Sequence, residues 1–80
     1  MSRIEEMRQS MLAAGFYNNA DINAICNLEA DYEKECAEIA DQCEAEGYPA
    51  NGDNYDLRCA SAREYYDAEI EKIDAKYSEN

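Results

Sequence analysis

Residues 19–46 read NADINAICNLEADYEKECAEIADQCEAE, and this stretch decides the fold. Its apolar positions Ile25, Leu28, Tyr32, Cys36, Ile39 and Cys43 recur in steps of 3, 4, 4, 3 and 4. Side chains at that spacing return to one face of an α-helix, here for about five turns. Gly47, Tyr48 and Pro49 come next as stop signals. Upstream, Asn18, Asn19 or Asp21 can accept hydrogen bonds from the first-turn N–H groups. The stretch predicts a helix over about 19–46.

A matching stripe lies downstream. Tyr55, Cys59, Ala62, Tyr66, Ile70, Ile73 and Tyr77 are spaced 4, 3, 4, 4, 3 and 4. Asn51-Gly52 is a turn signal and Asp53 can cap a third helix, expected over about 54–77. Before the central stretch, Ser2 and Glu5 have capping-box spacing. Ile4, Met7, Met11 and Leu12 recur on one face, and Gly15 can take the left-handed C′ conformation. This predicts a short helix over about 3–14. The pattern is all-α: an antiparallel helical hairpin of two long helices, with the short N-terminal helix packed across its open end. Eighty residues make one domain, 1–80. A hairpin centred near Asn51 pairs residues whose numbers add to about 102, Cys43 with Cys59 and Tyr32 with Ile70 among them.

Composition agrees. Val is absent, which argues against a sheet. Hydrophobic content is 46%, too high for a disordered acidic tail. The start, Met1-Ser2-Arg3-Ile4-Glu5-Glu6-Met7, lacks the apolar run of a signal peptide, and no stretch is long and apolar enough to span a membrane. A cytoplasmic chain is expected. Its four cysteines, Cys26, Cys36, Cys43 and Cys59, contain no Cys-x-x-Cys pair and no histidine accompanies them. Buried thiols are therefore favoured over zinc, with a Cys43–Cys59 disulfide allowed by the register.

The charge is lopsided. Nineteen acids face seven bases, a net of −12. Residues 19–46 alone hold nine acids against Lys34. On a helical wheel at about 100° per residue, the central helix is acidic on its solvent-facing sides, with Glu29 and Glu35 flanking the stripe. The third helix carries Glu64, Asp67, Glu71 and Asp74 on one flank and Arg58, Lys72 and Lys76 on the other. Like charges at such spacings destabilise a helix by a few tenths of a kcal/mol each. Solubility in a small domain needs a net charge of only about 2–8. The surplus repels nucleic acid and attracts basic surfaces.

Magnitude limits that reading. A helix of this length spans about 42 Å, and its surplus gives one charge per roughly 5 Å, against one per about 1.7 Å in duplex DNA. Carboxylates at i,i+3 and i,i+4 nevertheless lie about 5–6 Å apart. They suit a Lys/Arg groove that holds a single strand.

Other chemistry finds no support. Without histidine there is no Ser–His or Cys–His pair. No Gly-rich phosphate loop occurs. Two calcium-loop registers, Asn18 to Glu29 and Asp53 to Glu64, fail at ligand positions such as Ala20, Ile22, Tyr55 and Leu57. No enzyme, cofactor or metal is expected. Among the seven tyrosines, Tyr48 and Tyr65 are the candidates for contact with a partner.

The acid rows Asp31, Glu35, Glu38, Asp41, Glu44 and Glu64, Asp67, Glu71, Asp74, on a small helical chain, resemble those of phage-encoded DNA-mimic inhibitors, anti-CRISPR proteins in particular. The resemblance is compositional. It implies a non-enzymatic inhibitor, a phage protein acting in a bacterial host. Its acids would bind a basic CRISPR effector subunit and block target-DNA binding by the surveillance complex. It also implies no direct contact with nucleic acid or membrane. The alternative is a helical protein–protein interaction module or dimerising adaptor with a solubilising acidic surface. A monomer or weak homodimer fits either.

Overall fold

Three helices fill the chain in the computed structural model, which describes residues 2–78. They are α1 (Arg3–Ala14), α2 (Asn19–Ala45) and α3 (Asp53–Ser78). Each boundary has a local cause. The Ser2 hydroxyl accepts from the Glu5 N–H at 3.2 Å and opens α1. Gly15, at φ 80°, closes it. The Asn18 side chain accepts from the Asp21 N–H at 2.8 Å, which selects Asn18 as the cap of α2.

At the far end of α2 the Tyr48 N–H donates to the Cys43 carbonyl at 2.8 Å, and the Gly47 N–H to the Glu44 carbonyl at 3.1 Å. This is a Schellman closure with Gly47 left-handed at φ 89°. The Asp56 N–H donates to the Gly52 carbonyl at 3.0 Å. Asp53 is therefore already helical, and it is not the cap that its side chain suggested. With Asp56 it places negative charge in the first turn of α3, where the helix dipole favours it.

That turn sets the register. Because Gly47 reverses the chain directly after α2 and α3 starts at Asp53, the hairpin is centred at Pro49, not Asn51. Facing residues have numbers adding to about 98, one helical turn from the expected pairing. The Tyr32 ring meets Tyr66 with centroids 6.0 Å apart, in place of Ile70. The Tyr77 hydroxyl donates to Asp21, one turn beyond Ile25.

The core has two parts. Near the turn, Ile39, Cys43, Cys59 and Ala62 are buried, with Tyr32, Cys36 and Tyr55 packed around them. Small residues let two helices approach closely there. At the open end Met11, Ile22, Ile25 and Cys26 are buried, backed by Ile4, Met7, Tyr17, Ile70 and Ile73. This larger set takes side chains from all three helices. Polar contacts show that α1 runs alongside α2 in the opposite direction: Arg3 reaches Glu29 at 2.9 Å and Arg8 reaches Asn23 at 2.6 Å.

All four cysteines are free, so the Cys43–Cys59 disulfide allowed by the register is not formed. Cys59 is buried in the core near the turn, and Cys36 packs against that cluster. Among the described residues no helix is long and apolar enough to cross a membrane.

Candidate interaction surface

The central fact of the surface is which acids have partners. Glu29, expected on a solvent-facing flank, is buried at 4% exposure. Arg63 grips it with two hydrogen bonds, 2.5 and 3.1 Å, and Arg3 adds a contact from α1. The bonds from Arg63, more than the charge of Arg3, hold the Glu29 carboxyl below its ordinary value. Arg63 also bonds Asp67 at 2.7 Å and lies over the Tyr32 ring, 4.7 Å from its centroid. One guanidinium thus joins two carboxylates and an aromatic face.

The expected basic flank of α3 is engaged in the same manner. Arg58 forks onto Glu46 at 2.9 and 3.2 Å. Lys72 bonds Glu69 at 2.7 Å, and Lys76 bonds Asp21 at 3.1 Å. The Asp21 carboxyl is held low, first by the Tyr77 hydroxyl and then by Lys76.

The row on α2 is different. Asp31, Glu38, Asp41 and Glu44 are exposed, and no ion pair among the described residues reaches them. Glu35 is half-buried and accepts a hydrogen bond from the Tyr66 hydroxyl at 3.3 Å. Burial first, then the charge of Glu35, pushes that hydroxyl above its ordinary value. At about 100° per residue, Asp31, Glu35 and Glu38 share the flank of α2 turned away from α1, while Asp41 lies at the back.

The α3 row falls on the other side of the hairpin. Arg63 ties Asp67 to Glu29, which places it on the α1 side. Asp74 is half-buried and accepts from the Tyr17 hydroxyl, in the α1–α2 connection, at 3.0 Å. Burial, then this bond, raises the Tyr17 hydroxyl. Glu64 and Glu71 are exposed. The two rows therefore do not merge into one ridge, and Glu35 and Asp74 are less open than their wheel positions suggested.

Apolar exposure is confined to a few places. Leu12 and Phe16 lie at the end of α1, Tyr48 in the hairpin turn, and Leu57 and Tyr65 on α3. The described residues form no pocket and no metal-holding group of His, Cys, Asp or Glu. No family model matches the chain, and neither a curated protein nor a solved structure matches it.

Proposed function

We propose that the chain is a non-enzymatic acidic ligand for a basic, nucleic-acid-binding protein surface. The resemblance to anti-CRISPR proteins makes the target-DNA groove of a CRISPR surveillance complex the first partner to test. One observation carries the reading. Five of the seven cations form ion pairs, four of them between elements and Lys72 within α3, while no ion pair among the described residues reaches Asp31, Glu38, Asp41 or Glu44. Their field is available to Lys and Arg side chains that otherwise hold phosphates. The test is competition with target DNA for such a complex at low and high salt. Inhibition should weaken steeply with salt, and reversing Glu35, Glu38 and Asp41 to Lys should abolish it with helicity intact. Variants that inhibit as well as the parent would exclude charge as the determinant.

A second reading, a dimerising adaptor, draws on Leu12 and Phe16, which are 50% and 58% exposed at the end of α1. Light scattering separates the two, because a dimer unaffected by salt would favour the adaptor.

A further inference from the structure

Tyr65 is 61% exposed on α3. Tyrosine is enriched at protein–protein interfaces. Tyr65 is also held in place. Its ring packs on Tyr66 with centroids 5.1 Å apart and planes at 84°. Tyr66 is in turn anchored through its hydroxyl to Glu35. Asp31 lies one helical turn before Glu35 on the same flank of α2, the flank that the Tyr66 hydroxyl meets.

The protein already contains a filled version of this arrangement. On the α1 side, the Arg63 guanidinium lies over Tyr32 while Glu29 and Asp67 take its N–H groups. The outer face presents the same chemistry, an aromatic ring with two carboxylates, without a guanidinium. Lys72 on α3 is turned to Glu69 at 2.7 Å, and no ion pair among the described residues joins Lys34 to Asp31 or Glu35. Arg58 and Lys76 are held by Glu46 and Asp21.

We propose that Tyr65, with Glu35 and Asp31, forms a subsite for an arginine side chain of the partner, with the guanidinium stacked on the ring and its N–H groups on the carboxylates. This deepens the proposed acidic-ligand function and rests on it. It adds a preference that charge alone cannot supply, because a planar guanidinium stacks and forks whereas an ammonium is a hydrated point charge.

The test titrates the full chain with capped hexa-arginine and hexa-lysine peptides at low ionic strength. The arginine peptide should bind more tightly, with about a two- to five-fold share of that preference depending on the ring. Tyr65→Leu should remove that share and leave hexa-lysine affinity and helicity unchanged. Tyr65→Phe should keep it. A Leu variant that retains the parent's full preference, or equal binding of both peptides to the parent, overturns the subsite while sparing the acidic-ligand reading. If neither peptide binds, both fall.

Discussion

Glu29 and Asp31 are two residues apart on the same helix and have opposite surroundings. Glu29 is buried, with Arg63 and Arg3 against it, and its second neighbour Asp31 is exposed and in no ion pair among the described residues. The difference comes from what lies over each flank of α2. One flank is covered by α1, and a carboxylate there must be paired or pay heavily for lost hydration. The other flank is open water, where a bare carboxylate costs almost nothing. Arg3, Arg58, Arg63 and Lys76 are held between elements, so the carboxylates left without a cation lie mainly where no helix packs.

The comparison can be broken most severely at Glu29. Replacing it with Ala leaves Arg63 half-buried without its main acceptor and loosens α1 from α2. Removing one partner of a fully buried pair costs about 3–5 kcal/mol, and the partial exposure of Arg63 lowers the expectation to about 2 kcal/mol. In a domain of this size that is a fall of about 10 °C in the midpoint of thermal unfolding followed by circular dichroism.

Acid sharpens the contrast next. The folded-state Glu29 carboxyl sits below its ordinary value of 4.5, chiefly through the Arg63 bonds. A carboxyl lowered on folding stabilises fully above its unfolded value and loses that contribution as pH falls through the folded one. The Arg63–Glu29–Arg3 link should be at full strength at neutral pH and weaken progressively below pH 4.5. Glu29→Gln should flatten the loss of stability in that window, measured as unfolding midpoint against pH, with the low Asp21 and Glu46 carboxyls contributing to the remaining slope.

The smallest effect is expected at the exposed acids toward the C-terminal end of α2. Asp41→Asn with Glu44→Gln should change stability by less than about 0.5 kcal/mol, because exposed groups without partners contribute little and the pair is a like-charge i,i+3 contact. A drop comparable to that of Glu29→Ala, seen in the same thermal scan, would erase the distinction between paired and unpaired acids.

The helices were legible because their ends carry chemistry. Ser2, Asn18, Gly15 and Gly47 each satisfy or reverse a helix terminus through short-range bonds that need no tertiary information. The burial of Glu29 was not legible from the main stripe, since it depends on where α1 docks. A signal was present nevertheless. Ile22 and Cys26, each 2% exposed, lie off the stripe on the flank of Glu29 and mark a second packed face on the first half of α2. The register was misplaced by one turn because Asn51-Gly52 resembles a turn centre, whereas the reversal is made by Gly47. Of the surface row, the positions were readable and the partners were not. Which acids are neutralised depends on cations from other helices, such as Arg63 of α3 and Arg3 of α1.

The Pro49 turn has a consequence for how the chain assembles. Bonded partners lie 12 residues apart at Arg58 and Glu46, 31 apart at Tyr66 and Glu35, and 57 apart at Tyr17 and Asp74. Closing a loop costs entropy that grows with its length, but once one contact has formed, the next needs only a short additional closure. The least costly path therefore starts at the turn and advances toward the termini. The bonds that tie the α1–α2 connection to the end of α3 are the last it reaches.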